Sequence, residues 1–168
     1  MALLDKFKGA KVLVTGHTGF KGTWLTLWLK QLGANVSGVS IDIPSKPSHF
    51  EATNLSTQID DHRLDIKDAD SLKKLIHDIQ PDFVFHLAAQ ALVRPSYEDP
   101  LETISTNTLG TANVLEALRT LDKSVVAVMI TSDKAYDNLE WVWGYRETDR
   151  LGGKDPYSAS KGMAEVVI

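Results

Sequence analysis

The sequence contains no cysteine. This absence excludes disulfides, thiol catalysis and thiolate metal sites, and it is typical of proteins from a reducing compartment. The five histidines show no metal-ligand spacing, so we expect no metal site.

Long apolar segments and an excess of positive charge are also missing. The longest apolar run, residues 125–130, is far shorter than the about 20 residues that cross a bilayer. The N-terminal lysines, Lys6, Lys8 and Lys11, have no apolar core between them, unlike a secretory signal. The formal net charge of −4 argues against a nucleic-acid-binding surface. We therefore expect a cytoplasmic protein that binds neither membranes nor nucleic acid.

The 168 residues correspond to one domain. Short β-rich runs alternate with amphipathic helical stretches, which predicts an α/β fold with a doubly wound parallel sheet of the Rossmann type over residues 1–168. Strands are predicted at 11–15, 35–41, 63–66, 82–87 and 125–130, the last in a central position because it is continuously apolar. Helices are predicted around 24–32 and at 69–79, 101–121 and 155–168.

Two features of the predicted helices carry further expectations. Trp24 and Trp28 share the face of the first helix that we predict to pack in the core. The last helix begins with Asp155 as N-cap and Pro156 at the first helical position, and it runs to Ile168 without a C-cap. We therefore expect the domain to be truncated.

A glycine-rich turn lies between the first strand and the first helix. Gly16, Gly19 and Gly22 are each three residues apart, a spacing that lets backbone approach a pyrophosphate at a helix N-terminus. An ordinary glycine-rich turn is the alternative. The candidate dinucleotide-binding residues here are Gly16, His17, Thr18, Gly19, Phe20, Lys21 and Gly22.

The residues after the second and third strands bear on the choice between NAD and NADP. Asp42 lies 20 residues after Gly22, where an acid binds the adenosine ribose of NAD. No arginine lies nearby to hold a 2′-phosphate, which favours NAD, although Lys46 keeps NADP open. Asp65 and Ile66 are candidates to flank the adenine. The alternatives are a solvated loop acid for Asp42, and a turn acid and a core isoleucine for the other two.

Tyr157 and Lys161 are four residues apart and share one face of the last predicted helix. A nearby ammonium favours the phenolate, which makes a base for a sugar hydroxyl. Ser132, Asp133 and Lys134 follow the fifth strand directly, at the sheet edge where ligands bind. Ser132 is placed to bond the oxygen being oxidised, and Asp133 and Lys134 supply an acid and a base. A polar strand end with a solvated ion pair is the alternative.

Taken together, these motifs resemble the extended short-chain dehydrogenase/reductase superfamily, in particular its nucleotide-sugar 4,6-dehydratases. The likeness is carried by Gly-His-Thr-Gly-Phe-Lys-Gly at 16–22, Thr-Ser-Asp-Lys-Ala-Tyr-Asp-Asn at 131–138, Glu-Trp-Val-Trp-Gly-Tyr-Arg-Glu at 140–147 and Asp-Pro-Tyr-Ser-Ala-Ser-Lys at 155–161. At position 134 this sequence has lysine and so resembles the members of this group that act on CDP-glucose, whereas the dTDP-glucose enzymes have glutamate at that position. The likeness spans only the cofactor-binding part of the family fold, so the C-terminal substrate domain is missing. Ser40 stands where relatives usually have the ribose-binding acid.

The resemblance implies a redox-neutral dehydration of CDP-glucose to CDP-4-keto-6-deoxyglucose with bound NAD. Tyr157 is then the base at the C4 hydroxyl, Lys161 favours its phenolate, and Ser132 orients that hydroxyl. Lys134 removes the C5 proton and Asp133 assists loss of the C6 hydroxyl. Lysine acts as a base only when neutral, a form that burial or neighbouring cations must favour.

The same resemblance extends to cofactor contacts and assembly. It assigns Ala88, Ala89 and Gln90 to the cofactor wall, and Asn107 to the asparagine of the fourth helix. It also implies a homodimer or higher homo-oligomer, paired through residues 101–121 and 155–168, that supplies deoxysugars for surface polysaccharide such as lipopolysaccharide. Another 4,6-dehydratase, a 4-epimerase and a fragment that only binds NAD are the alternatives.

Overall fold

A computed structural model describes residues 3–168. Its centre is a parallel sheet of five strands in the order β3-β2-β1-β4-β5. The strands are β1 (Lys11–Thr15), β2 (Asn35–Ser40), β3 (Asp60–Arg63), β4 (Phe83–His86) and β5 (Val126–Met129). The order reverses between β1 and β4, which makes the crevice between their carboxyl ends the ligand-binding position of such sheets.

The helices cover both faces of the sheet. They are α1 (Phe20–Gln31), α2 (His49–Ala52), α3 (Ala69–Ile79), α4 (Val93–Glu98), α5 (Pro100–Ile104), α6 (Gly110–Arg119) and α7 (Pro156–Val167). Leu13 of β1 packs with α3 and α6, whereas its neighbours Val12 and Val14 pack with Leu29 of α1. Because successive strand residues point to opposite faces, these two cores lie on opposite sides of the sheet. The predicted doubly wound fold is confirmed.

Two strand predictions are wrong. The third strand covers 60–63 rather than 63–66, because its register pairs Arg63 with Ser40, the last residue of β2. In the described sheet β5 lies at one end rather than in the centre, and Val126 and Val128 are exposed. A continuous apolar run therefore indicated a parallel strand correctly, but not its place in the order.

The long helix predicted over 101–121 is interrupted. A π-helical turn, Ser105–Leu109, separates α5 from α6. The extra residue in such a turn rotates the buried face, so that Asn107 is buried while Leu101 is 75 % exposed. At the start of α6, Gly110 lies against Ile66, and a Cβ there would be 2.5 Å from the isoleucine Cδ1.

The prediction that Trp24 and Trp28 lie in the core is also wrong. Their side chains are 56 % and 55 % exposed, and Leu29 and the small residues of α1 face the sheet instead. The glycine turn brings α1 so close to β1 that small residues fit there better than indoles. Trp24 packs on His49 of α2 with a centroid distance of 4.5 Å. No helix among the described residues has the length and apolarity that a membrane span requires.

Because Leu29 rather than Trp28 faces the sheet, alanine substitutions at these two neighbouring positions should change the free energy of unfolding by different amounts. We expect Leu29→Ala to lower the free energy of unfolding by about 2–5 kcal/mol, because it empties a fully packed position. Trp28→Ala should lower it by less than about 1 kcal/mol. Urea denaturation measures both, and equal losses would contradict the assignment of the buried face.

Candidate active site

Most of the predicted site residues come from three chain segments that meet at the carboxyl ends of β1, β4 and β5, whereas Asp42, Asp65, Ile66 and Asn107 lie on other segments. The first is the glycine turn after β1, the second is the segment after β4, and the third joins the end of β5 to α7.

The glycine turn is closely packed against other backbone. Gly16 has φ +74°, and a Cβ on it would lie 2.7 Å from the backbone nitrogen of Ala88. A Cβ on Gly22 would lie 2.1 Å from the carbonyl oxygen of Gly16. Gly19 is less restricted, with 3.3 Å to that same oxygen. The turn therefore presents bare backbone and the N-terminus of α1, as a dinucleotide pyrophosphate requires.

The side chain of His17 points away from this cradle. It is completely buried, with Nε2 2.8 Å from Asp61 Oδ1 and Nδ1 3.0 Å from Ser40 Oγ. Burial lowers the pKa of His17, against the opposing effect of Asp61. Its ring fills the space above Gly38, where a Cβ would be 2.4 Å from the ring. Phe20 and Lys21, by contrast, are exposed on the first turn of α1.

The end of β2 is tied to the glycine turn and has an arginine beside it. The Thr18 hydroxyl donates to the Asp42 carbonyl oxygen at 2.7 Å, and Arg63 Nη1 donates to the same oxygen at 3.4 Å. The premise that no arginine lies near Asp42 is therefore wrong, because parallel pairing of β2 with β3 brings Arg63 next to Ser40. The guanidinium is already paired with Asp61, from Nη2 to Oδ2 at 2.8 Å.

The two residues predicted to flank the adenine, Asp65 and Ile66, lie just after β3. Asp65 Oδ1 accepts from the backbone nitrogen of Lys67 at 2.9 Å, which closes a turn. Ile66 is buried in the core against Gly110. Both side chains thus have the structural contacts that were the alternative to adenine binding.

A buried polar network links β1 and β4 to the π-helical turn. Thr15 Oγ1 donates to His86 Nδ1 at 2.7 Å and accepts from the backbone nitrogen of Ala88 at 3.2 Å. His86 Nε2 lies 3.1 Å from Thr111 Oγ1, whose proton goes to the Asn107 carbonyl. This pattern requires the neutral tautomer with the proton on Nε2. Burial, with a smaller contribution from Lys161, lowers the pKa of His86 to about 4.

Asn107 continues this network to α7. Its Oδ1 accepts from Gln90 N at 2.8 Å, and its Nδ2 donates to Gln90 O at 3.0 Å and to Ser160 Oγ at 2.9 Å. The amide thus holds the segment of Ala88, Ala89 and Gln90 against α7. The sequence analysis missed Ser160, since a serine in a helix carries no signal of its partner.

Tyr157 and Lys161 occupy the first two turns of α7. The Asp155 side chain accepts from Ser158 N at 2.9 Å, and Pro156 follows it, so the predicted helix start is confirmed. Tyr157 is 8 % exposed and Lys161 6 %. Lys161 Nζ donates to the Ile130 carbonyl at 3.4 Å, and burial lowers the pKa of this ammonium.

Ser132, Asp133 and Lys134 form a tight turn after β5. Ser132 Oγ accepts from Lys134 N at 3.2 Å and donates to Asp133 Oδ1 at 3.1 Å. The side chains of Asp133 and Lys134 are exposed and line a cleft of about 640 Å³, together with Tyr136, Asn138, Lys154 and Asp155. This cleft brings the predicted acid and base next to the start of α7.

The two loop tryptophans belong to an aromatic stack beside this cleft. Trp141 lies 5.4 Å from Trp143 and 5.9 Å from Tyr145, measured between ring centroids. Tyr145 stacks in parallel on Tyr136 at 5.2 Å, and its hydroxyl donates to Asn138 Oδ1 at 3.0 Å. The stack therefore gives the long loop after β5 a fixed shape at the edge of the cleft.

The model of one protein family, GDP-mannose 4,6 dehydratase, matches residues 13–168. The chain belongs to this family. It is therefore a member of the extended short-chain dehydrogenases/reductases, as its motifs indicated. Among the described residues no group of three or more histidine, aspartate or glutamate side chains is arranged to hold a metal ion.

Individual relatives are similar over nearly the whole chain. The chain is 52% identical to the CDP-glucose 4,6-dehydratase of Salmonella typhimurium over 98% of its own length and 46% of that protein. It is 28% identical to a GDP-mannose 4,6-dehydratase of Yersinia enterocolitica, of which it covers 43%. The UDP-glucose 4-epimerase of Thermus thermophilus, solved in complex with NAD, matches 92% of this chain and 48% of its own, with 30% identity and a TM-score of 0.78. The chain thus spans about half the length of these relatives.

The network around His86 predicts its protonation state. Nitrogen NMR should show a neutral ring with the proton on Nε2 at neutral pH, titrating only near pH 4. The unfolded chain binds a proton near pH 6.5, so stability falls as pH drops from about 6.5 to 4, by up to about 3 kcal/mol for this group. A His86 resonance titrating near 6.5 would contradict the network.

Proposed function

We propose that this chain carries the NAD-binding and catalytic residues of a CDP-glucose 4,6-dehydratase, which converts CDP-glucose to CDP-4-keto-6-deoxyglucose. The observation that carries this proposal is that the pair Asp133–Lys134 and the pair Tyr157–Lys161 lie together at the carboxyl end of the sheet. The Asp133–Lys134 turn packs against α7, which bears Tyr157 and Lys161. The 52% identity to the Salmonella enzyme supports the choice of sugar nucleotide.

The glycine turn fits NAD. A Cβ at Gly16 or Gly22 would collide with backbone, so the space before α1 stays open for a pyrophosphate. NAD⁺, when bound, supplies the oxidation at C4 and the later reduction at C6. NAD rather than NADP is favoured because Asp61 already pairs with Arg63, the arginine nearest the end of β2. Asp42 is then the group for the adenosine ribose.

The oxidation at C4 uses the buried pair. Tyr157 takes the proton of the C4 hydroxyl, and the ammonium of Lys161, one turn further on, stabilises the phenolate. Ser132 orients the same hydroxyl from the opposite side. Burial of Tyr157 and Lys161 keeps water away from this pair and strengthens their electrostatic interaction.

The elimination uses the exposed pair. A ketone at C4 makes the C5 proton acidic, and Lys134 removes it. Asp133 donates a proton to the C6 hydroxyl, which leaves as water. Lys134 is exposed to solvent, so the proposed step requires that substrate binding favour its neutral form. The bound sugar would exclude water from the cleft, and the positive charge of Lys154 in the same cleft would repel a charged Lys134.

A UDP-sugar 4-epimerase is the second candidate, favoured by the likeness to the Thermus enzyme. An epimerase needs Tyr157 and Lys161 but no acid and base after the fifth strand. Another nucleotide-sugar 4,6-dehydratase would use all the same residues. A chain that binds NAD without turnover would retain only the glycine turn.

We also propose that residues 1–168 form a single NAD-binding domain that pairs with a second copy through the two helical segments at 101–121 and 155–168. Leu101, Met163 and Val166 are exposed apolar side chains on these two helices. A cytoplasmic enzyme of this kind would supply deoxysugars for surface polysaccharide such as lipopolysaccharide.

The proposal is tested in two steps. Calorimetry first measures binding of NAD⁺ and NADP⁺ to the chain, and tighter binding of NAD⁺ is expected. Incubation with NAD⁺ and CDP-glucose in deuterated water then shows the product by mass spectrometry and proton NMR. Loss of one water with a deuteron at C5 supports the dehydratase. Inversion at C4 without water loss would establish the epimerase, and NAD⁺ binding without product would limit this chain to cofactor binding.

The two exposed residues should separate the two parts of the elimination. Lys134→Met is expected to abolish deuterium incorporation at C5 and water loss together, by at least about 100-fold in rate, since it removes the base. Asp133→Asn should retain exchange at C5 and slow water loss. Lys74→Met, at an exposed lysine of α3, is the matched control. Unchanged exchange in Lys134→Met would remove Lys134 from its role.

A further inference from the structure

Helix α7 carries a third polar residue on the face of Tyr157 and Lys161. Glu165 follows Lys161 by four residues, just as Lys161 follows Tyr157, so the three side chains form one row. Glu165 is half-buried, and none of the steps proposed above uses it.

The row meets the end of β5 at two consecutive residues. Lys161 Nζ donates to the carbonyl oxygen of Ile130 at 3.4 Å, and Thr131 Oγ1 donates to Glu165 Oε1. The second bond is charge-assisted, which makes it stronger than a bond between neutral groups. The next residue in the chain is Ser132.

The position of Ser132 depends on these contacts because the sheet ends before it. Ile130 N donates to the His86 carbonyl at 3.0 Å, the last bond of β5 to its neighbour strand in the described chain. Among the described residues, the backbone hydrogen bonds of the turn at 133–135 are to itself and, through Ala135, to Gly152, and the turn packs against α7. Thr131 is thus the hinge between a fixed strand and the catalytic turn, and Glu165 holds that hinge.

We propose that Glu165 is a positioning residue, whose carboxylate holds Thr131 and thereby sets the placement of Ser132 relative to Tyr157 and Lys161. This inference rests on the proposed function for its catalytic consequence, but the structural part stands without turnover. Glu165 does not touch the substrate. It acts through Thr131.

A different role for the same carboxylate has to be separated from this one. Glu165 also raises the pKa of Lys161 through its charge, against the larger lowering by burial, and His86 faces Lys161 from β4. A hydrogen bond and a charge respond to different substitutions. Thr131→Val removes the donor and keeps the charge, whereas Glu165→Gln keeps an acceptor and removes the charge. Thr131→Ser restores the hydroxyl.

The experiment compares these variants and Glu165→Ala with the unaltered 168-residue chain. Val126→Ala, at an exposed position of β5, the strand that leads to Thr131, is the control. Amide order parameters of Ser132 report its mobility without any turnover, thermal unfolding confirms that each variant folds, and kcat and KM are measured with NAD⁺ and CDP-glucose.

We expect Thr131→Val and Glu165→Ala to lower the order parameter of Ser132 and to reduce kcat about tenfold or more with little change in KM, since a small misplacement of a catalytic group is costly. Thr131→Ser, Glu165→Gln and Val126→Ala should stay near the unaltered chain. If Glu165→Gln lowers the order parameter of Ser132 and kcat as much as Glu165→Ala does, the charge of Glu165 matters rather than its hydrogen bond, and the proposal is overturned. An unchanged Ser132 in Thr131→Val would also overturn it.

The failure of the proposed function is recognisable separately. If the unaltered chain binds NAD⁺ but forms no product, the order parameters of Ser132 still decide whether Glu165 holds the hinge. If the unaltered chain is active and Thr131→Val and Glu165→Ala keep their full kcat, Glu165 is not a positioning residue, and the dehydratase proposal stands.

Discussion

Strand β1 ends in a turn whose backbone lies so close to two other segments that no side chain fits between them. A Cβ on Gly16 would reach the backbone of Ala88, and one on Gly22 would reach the carbonyl of Gly16. The first contact joins the turn to the segment after β4, and the second draws the N-terminus of α1 over the sheet. The glycine turn and residues 88–90 are therefore parts of one rigid unit. A larger residue at either glycine would separate them.

The buried polar network carries this rigidity from the glycine turn to α7. Thr15 accepts from Ala88 and donates to His86, and Asn107 holds both Gln90 and Ser160. Such a network stabilises only if every member is satisfied. A neutral His86 meets this condition, and it also lets the Lys161 ammonium lie buried nearby. A second positive charge there would repel it in a region where water cannot screen the interaction.

The sequence predicted the parts of this structure that depend on local signals. The glycine spacing, the Asp155 N-cap and the Tyr157–Lys161 spacing are properties of a few neighbouring residues, and the structure has the turn and helix they indicate. Strand order and burial depend on distant segments. The end position of β5, the exposure of Trp24 and the place of Arg63 beside Asp42 all follow from which strands pair and how closely α1 approaches β1. Those distances are not encoded in any short motif.

The two chemical steps of the proposed reaction differ in how far their residues are enclosed by the protein. Tyr157 and Lys161, the residues for proton removal in the oxidation at C4, are buried, and Tyr157 N donates to Ser96 Oγ while Lys161 Nζ donates to the Ile130 carbonyl, so this pair is preorganised. Asp133 and Lys134 stand in solvent at the open edge of the cleft, held through Ser132 and the hinge at Thr131. Oxidation at C4 is common to epimerases and dehydratases, whereas elimination distinguishes them. The division between these activities therefore rests on the least enclosed residues of the site, whose chemistry depends on what the bound sugar nucleotide covers.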